Sequence, residues 1–185
     1  MMKLTLFTFG LLLSSAQLVH AEHYTVDYEK SQVQFSGKHA GNDFSGMFNE
    51  WTADVNFDFE NPTASHISAV FKLESAETGN AMYDGTLPTA DWFNVAETPE
   101  GTFKSTSVQH VEGDVYKIEG ELTLRDVTKP ISFDAKISKV DEMSYKSHSE
   151  MILKRLDFGM GKNSDPTLEW VDNEIVIKMH VFAQK

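Results

Sequence analysis

The stretch Gly120-Glu121-Leu122-Thr123-Leu124-Arg125-Asp126-Val127-Thr128-Lys129-Pro130-Ile131 decides the fold class of this chain. Leu122 and Leu124 alternate with polar neighbours before a polar corner, and Ile131 starts a second alternation after it. Alternation of apolar and polar residues is typical of a strand with one face against a core. The stretch therefore predicts two antiparallel strands that form a hairpin around the corner.

The same alternation recurs along most of the chain, and turn signals such as Asn61-Pro62 and Glu112-Gly113-Asp114 separate the alternating segments. Each segment has one apolar face and one polar face, as antiparallel strands usually do. Many short strands with few helices predict a barrel or a sandwich. The apolar sets are Val33, Phe35 and Gly37; Val55, Phe57 and Phe59; Ile67, Ala69, Phe71 and Leu73; Tyr116, Ile118, Gly120, Leu122 and Leu124; Ile131, Phe133, Ala135 and Ile137; and Ile175, Ile177, Met179, Val181 and Ala183.

One segment, residues 75–98, has no strand alternation. Its stretches 80–84 and 89–93 have the pattern of short helical turns, and Thr89 is a candidate N-cap for the second. A long insertion of this kind either caps the mouth of a barrel or packs as a helix on the outside of the wall, and the sequence leaves both open. The segment is rich in large apolar side chains, namely Met82, Tyr83, Leu87, Trp92 and Phe93.

The first 21 residues have the pattern of a signal peptide. A short basic start with Lys3 precedes a largely apolar run at residues 4–13, and Val19-His20-Ala21 provides a cleavage site. The run is short for a membrane span. We therefore expect cleavage after Ala21, export to the periplasm, and a single mature domain over residues 22–185 that is long enough to bury a sizeable core.

The composition disfavours several classes of function. The chain has 28 acidic and 16 basic residues, a balance that argues against binding to nucleic acids or anionic headgroups. It has no cysteine, which removes thiolate catalysis, iron–sulfur ligation and c-type haem attachment. The histidines are dispersed, and neither a nucleophile elbow nor a glycine-rich phosphate loop is present. We expect no catalytic set, no metal site and no cofactor.

Three blocks of sequence, in their order and spacing, resemble the YceI family, and together they span the predicted mature chain. The first contains Tyr24-Thr25-Val26-Asp27, Ser31-Gln32-Val33-Gln34-Phe35, His39 and Gly46-Met47-Phe48. The second contains Thr78-Gly79-Asn80, Asp84, Leu87, Asp91-Trp92-Phe93-Asn94-Val95, Pro99 and Thr102-Phe103-Lys104-Ser105-Thr106. The third is the opening stretch, followed by Arg155-Leu156-Asp157-Phe158-Gly159-Met160.

The chain departs from the family pattern at three positions. Asp126 stands where the family usually has glycine, Leu156 where a small polar residue is common, and Trp92 where phenylalanine is usual. The first two lie in predicted turns, so these changes leave the fold intact. They alter the polarity of the rim and hence the preference for a ligand headgroup.

The resemblance implies an all-β fold: an eight-stranded antiparallel lipocalin-like barrel with a short helical insertion at about residues 78–95. It also implies a deep apolar cavity that holds a long isoprenoid or fatty chain with the polar head toward the mouth. An eight-stranded barrel has an interior just wide enough for one slender ligand. The implied partner is a long-chain isoprenoid lipid of the quinone or polyprenyl phosphate type.

The candidate ligand-binding residues come from the alternation, the insertion and the family motifs. Alternation alone is equally consistent with phenylalanines that fill a solid core, whereas the resemblance favours a cavity. The inward aromatic candidates are Phe35, Phe48, Phe57, Phe71, Phe103 and Phe133, and the insertion adds Met82, Trp92 and Phe93.

Three polar positions have two interpretations each. His39 either meets a headgroup or anchors the loop that follows it. Arg155 either presents a cation to the headgroup or forms an ion pair at the rim with Asp157. Arg125, with Lys129, either faces a phosphate or carbonyl head or is solvated.

The leading functional hypothesis is an exported protein that sequesters or carries a polyisoprenoid through water. A module that binds a membrane redox protein or an envelope protein is the alternative, and an enzyme that acts on such a lipid comes third because the sequence shows no assembled catalytic groups. Transient contact with a membrane is compatible with the first two hypotheses. The chain is expected to be a monomer or a homodimer.

Overall fold

The structure, a computed structural model, describes residues 21–185, so all of the predicted signal peptide except Ala21 lies outside the described residues. Eleven strands and one short helix form the described part. The strands are β1 Glu22–Val26, β2 Gln32–His39, β3 Asn42–Phe48, β4 Trp51–Phe57, β5 His66–Lys72, β6 Ala76–Glu77, β7 Glu100–Glu112, β8 Val115–Leu124, β9 Val127–Lys139, β10 Ser144–Lys154 and β11 Glu174–Gln184, and the helix α1 is Ala81–Thr86. Within this part of the chain, no helix is long and apolar enough to cross a membrane.

The eleven strands make eight strands of a closed antiparallel barrel, because three of the barrel strands are interrupted. β1 and β2 pair in turn with the same edge of β11, and β4 and β3 pair with their other edge. β6 extends β5 beyond a short 3₁₀ turn and pairs with β3. β5 pairs with β4 and β7, and from β7 onward each strand pairs with the next, up to β11. The predicted eight-stranded antiparallel barrel is confirmed.

The opening stretch forms the hairpin of β8 and β9. Leu124 pairs with Val127 across a two-residue turn. Both turn residues have positive φ, 52° at Arg125 and 61° at Asp126. Such a turn matches the right-handed twist of the strands but strains most side chains, which explains the family's glycine at the second position. Aspartate is among the residues that tolerate this conformation.

The apolar sets predicted from alternation face the interior. Gly120 also faces inward. A side chain at this position would collide with the ring of Phe103 on the neighbouring strand, which explains the glycine. At one end of the barrel, aromatic rings close the base: Phe59 stacks on Tyr145 at 4.3 Å between ring centroids, and Phe57 lies 5.2 Å from Tyr116. This base is sealed by tightly packed rings.

The opposite end of the barrel carries the helical insertion. The side chain of Asn80 caps α1 by accepting a hydrogen bond from the amide of Met82 at 3.0 Å. The second predicted helical turn is wrong, because residues 87–97 form hydrogen-bonded turns instead. Pro88 cannot continue the helix. Thr89 donates its hydroxyl to the carbonyl of Thr86 at 2.7 Å and is not an N-cap.

The barrel wall is incompletely paired between β9 and β10. Their ladder joins residues 135–139 of β9 to residues 145–149 of β10. In the described chain, the mouth-proximal part of β9, which includes Pro130, has no ladder partner on its β10 side. Proline is tolerated on such an edge because it has no N–H to donate. The wall therefore has a narrow unpaired seam that runs toward the mouth.

Candidate ligand-binding cavity

Three chambers follow one another from the base of the barrel to its mouth. The lower chamber has a volume of about 140 Å³, the middle chamber about 100 Å³ and the outer chamber about 260 Å³. Phe71 and Leu122 line both the lower and the middle chamber. Leu87 and Trp92 line both the middle and the outer chamber. Because neighbouring chambers share wall residues, they lie end to end between the base and the mouth.

The lower chamber is almost entirely apolar and contains four of the predicted site residues. These four residues are phenylalanines on four different strands: Phe57, Phe71, Phe103 and Phe133. Three polar side chains on β10, Lys146, Ser147 and Ser149, also line the chamber, and the alternation did not single them out. The chamber offers dispersion contacts and burial rather than directed hydrogen bonds, which suits a hydrocarbon chain.

The interior is hollow at the level of the lower chamber. Inward side chains in a filled core pack to full burial, since protein interiors are dense. Phe71, Phe133 and Met179 point inward yet are only half-buried. The chamber that these three side chains line accounts for the surface they keep accessible. Of the two interpretations of the inward phenylalanines, the structure supports a cavity.

The middle chamber lies beneath the insertion and holds Phe35, Phe48 and Phe93 together with Trp92. The ring of Phe48 lies 5.5 Å from that of Phe35 and 6.0 Å from that of Phe93. Phe48 thus joins the barrel wall to the insertion. The segment 75–98 covers the mouth, as the first of its two interpretations predicted.

The outer chamber forms the mouth, and polar side chains, among them His39 and Tyr83, lie between its apolar ones. The hydroxyl of Tyr83 lies 3.1 Å from Nδ1 of His39, and the His39 ring lies 6.4 Å from the Trp170 ring. His39 therefore contacts α1 and also faces the chamber. Met82 and Trp170 line the same chamber and are 61% and 53% exposed. These side chains make the rim apolar.

Arg155 borders the middle chamber but does not form the predicted rim ion pair with Asp157, which is exposed. The side chain of Arg155 is 1% exposed, and its Nη2 donates to Oδ2 of Asp165 at 2.6 Å. The guanidinium also donates hydrogen bonds to four backbone carbonyls, those of Asp172, Met160, Asp165 and Val171. The guanidinium is thus occupied by the protein itself, and Arg155 contributes packing to the cavity.

Asp165 is the ion-pair partner of Arg155, and the sequence did not predict it. Burial acts to raise the pKa of Asp165, but amide N–H groups of Val171, Trp170 and Glu169 together with the Arg155 charge hold that pKa below its ordinary value. Hydrogen bonds to a carboxylate favour its charged form. The pair folds the long connection between β10 and β11, residues 155–173, into one wall of the outer chamber.

A second clamp fixes the insertion to that connection. Arg125 donates to the carbonyls of Ala90 at 2.8 Å and Asp91 at 3.2 Å, and also to that of Gly159. The interpretation that Arg125 and Lys129 present cations to a headgroup is wrong for Arg125, whose guanidinium faces backbone carbonyls. Positive charge beside three carbonyls stabilises the corner of β8 and β9 instead.

Asp91 completes this clamp from the insertion. Its carboxylate accepts hydrogen bonds from the amides of Asn163 and Ser164 at 3.0 and 2.8 Å. Asp84 accepts from the amide of Thr78 at 2.7 Å, which ties the start of the insertion together. Both carboxylates therefore have structural roles at turns of the insertion. Over residues 21–185, no group of three or more histidine, aspartate or glutamate side chains is arranged to hold a metal ion.

A closed eight-stranded barrel with a hollow apolar interior, aromatic rings at its base and the insertion over its mouth has the architecture of a lipocalin-like barrel. The family model described as a YceI-like domain matches residues 24–183. The chain belongs to the YceI family, which confirms the resemblance seen in the three blocks.

Known proteins resemble the chain in sequence and in structure. A UPF0312 protein of Pectobacterium atrosepticum is 34% identical over 94% of this chain and 93% of its own length. The crystal structure of Burkholderia cenocepacia BcnA superposes with a TM-score of 0.82 at 24% identity, covering 86% of this chain and 99% of BcnA. A polyisoprenoid-binding domain from Saccharophagus degradans superposes with a TM-score of 0.68 at 14% identity, covering 87% and 97% of the two chains.

Proposed function

We propose that this protein is an exported binding protein that holds a long-chain isoprenoid or related amphiphilic lipid and sequesters or transports it. The observation that carries the proposal is the row of three adjacent, mostly apolar chambers between the aromatic base and the mouth. The polyisoprenoid-binding domain of similar fold supports the choice of ligand class. No catalytic step is part of this proposal.

Burial of the hydrocarbon tail supplies the affinity. About fifteen buried methylene equivalents at ~0.8 kcal/mol each give a gross gain of about 12 kcal/mol. Immobilising the ligand and losing its internal freedom subtract several kcal/mol from that gain. Non-directional burial selects tails weakly, so the length and width of the tail matter more than its detailed chemistry.

A small number of polar side chains at the mouth select the headgroup of the lipid. Beside the apolar rim, the outer chamber is lined by the polar residues Thr78, Thr86, Ser164 and Asp165 and by two groups that lie 3.1 Å apart, the His39 imidazole and the Tyr83 hydroxyl. Both are neutral hydrogen-bonding groups when the imidazole is unprotonated. Because Arg125 and Arg155 are engaged by backbone carbonyls, this mouth suits an uncharged carbonyl or hydroxyl head such as that of a quinone better than a phosphate.

Contact with a membrane or a membrane protein during lipid exchange is a second part of the proposal. Met82, Leu168 and Trp170 are exposed at the end of the barrel through which a ligand would leave. Apolar side chains around an opening lower the cost of moving a tail between the cavity and another apolar phase.

Mass spectrometry of lipids extracted from protein purified without detergent tests the proposed ligand. We expect one long-chain isoprenoid per chain, because the row of chambers accommodates a single slender tail. The variant Ala69→Trp is a suitable control, since its indole would occupy part of the lower chamber that Ala69 lines. Protein that is folded but carries no lipid in stoichiometric amount would contradict the proposal and favour a partner-binding module.

Export is tested separately by the N-terminal sequence of the protein in the periplasmic fraction. We expect the mature chain to begin at Glu22, because Val19-His20-Ala21 precedes that position. The matched control is Ala21→Leu, which should slow processing by replacing the small residue before the cleavage point. A functional protein that retains Met1 would contradict the signal-peptide prediction.

A further inference from the structure

His148 and His180 are neighbours on the outer face of the barrel. They lie directly opposite each other in the ladder of β10 and β11. Their Nδ1 atoms are 3.3 Å apart, so that one ring can donate an N–H hydrogen bond to the other, whereas their ring centroids are 4.3 Å apart. Since the nitrogens are closer than the ring centres, the nitrogen-bearing edges face each other. The pair is exposed to solvent and takes no part in the cavity.

This separation matches the bite of a zinc ion. Zn–N bonds of about 2.0–2.1 Å at a tetrahedral angle place two ligand nitrogens about 3.3 Å apart. A square-planar ion with the same bond lengths would require about 2.9 Å between adjacent nitrogens. The observed distance is therefore close to the separation of two ligand positions around a tetrahedral Zn²⁺ ion.

We propose that His148 and His180 form a bidentate zinc-binding site on the outer wall of the barrel, with water in the remaining two positions. Two adjacent strands of a long ladder hold the ligand backbones in fixed register. Such preorganisation reduces the entropy that the side chains lose when they bind the ion. The net charge of −12 favours the approach of a cation.

The surroundings of the pair set the strength of the site. Lys136 on β9 lies opposite His148, and the uncharged Gln32 on β2 lies opposite His180. On the same two strands, Glu150 pairs with Lys178 at 3.3 Å, and Lys146 lies two residues before His148. The lysines oppose a cation and the glutamate favours it. Zinc must compete with protons for both imidazoles, so acidification releases the metal.

Zinc titration of the untagged, EDTA-treated protein tests the proposal, with a competing chromophoric zinc indicator as the readout. We expect one zinc ion per chain at pH 7.5, and at least tenfold weaker binding in His148→Gln and in His180→Gln alike. His66→Gln is the matched control, because His66 is also exposed on a strand but pairs with Asn56 instead of a histidine. Its affinity for zinc should stay within twofold of the wild type.

The folded state and the ligand atoms are checked independently. Thermal unfolding identifies variants that fail to fold, and imidazole nitrogen chemical shifts report which nitrogens bind the metal. Zinc should shift the Nδ1 resonances of both histidines. The proposal is overturned if the wild type shows no saturable zinc binding, if either variant keeps wild-type affinity, or if His66→Gln weakens binding as much as the other two substitutions.

Discussion

Replacing Arg155 by methionine is expected to lower the free energy of unfolding by about 3–5 kcal/mol, the range for removing one partner of a buried ion pair. The guanidinium is almost fully buried and bonds Asp165 at 2.6 Å. Its loss leaves a buried carboxylate without its counter-charge and four backbone carbonyls without their donor. Equilibrium urea unfolding, followed by tryptophan fluorescence, measures the change.

The neighbouring residue provides a matched control for this prediction. Lys154 is exposed and lies one residue before Arg155 on β10. Lys154→Met should therefore change the unfolding free energy by about 0.5 kcal/mol or less, as surface substitutions usually do. If Arg155→Met is as mild as Lys154→Met, the arginine is not a structural clamp, and its interpretation as a headgroup contact regains support.

Replacing Ala69 by tryptophan is expected to reduce the amount of lipid bound by at least tenfold while the barrel stays folded. Ala69 lines the lower chamber and keeps accessible surface toward it, so an indole at this position has empty space to occupy. The added ring then fills the volume that the tail requires. Lipid extraction with mass spectrometry measures retention, and thermal unfolding measures stability.

Ala135→Trp is the comparison that distinguishes a hollow interior from a filled one. Ala135 lines the same chamber but is only 1% exposed. Inserting a large side chain where atoms already pack costs about 1–3 kcal/mol. We expect this variant to lose stability and the Ala69 variant to lose lipid. Retained lipid together with a lowered melting temperature in Ala69→Trp would show that the core is solid at that level.

Alternation along the chain was sufficient to predict the barrel wall. Period-two patterns depend on neighbouring residues, so the inward faces of β5, β8, β9 and β11 are readable without knowing which strands pair. The corner at Arg125 and Asp126 was also predicted as a turn, because two polar residues separate two alternating runs. Recognition of the three YceI blocks then supplied the closure into eight strands, which alternation alone does not specify.

The insertion was predicted less well. Its apolar content indicated that something must cover it, but the choice between mouth and outer wall depends on how distant loops meet. The second helical turn at residues 89–93 failed because Pro88 and the contacts of Asp91 with the β10–β11 connection override the local pattern. Local propensity is a weak guide where such tertiary contacts decide.

The sequence by itself determined the strand faces, the inward aromatic residues and the family of this protein, since each of these is encoded in short spacings along the chain. Only the tertiary structure decided the roles of the polar residues. The partner of Arg155 is Asp165 rather than Asp157, and the pairing of His148 with His180 arises from ladder register. The two side chains of such a pair are distant in sequence or are brought together by a loop. No local sequence pattern therefore predicts that they lie close together. The hollow interior likewise depends on how closely the inward faces pack across the barrel, which is a property of three dimensions.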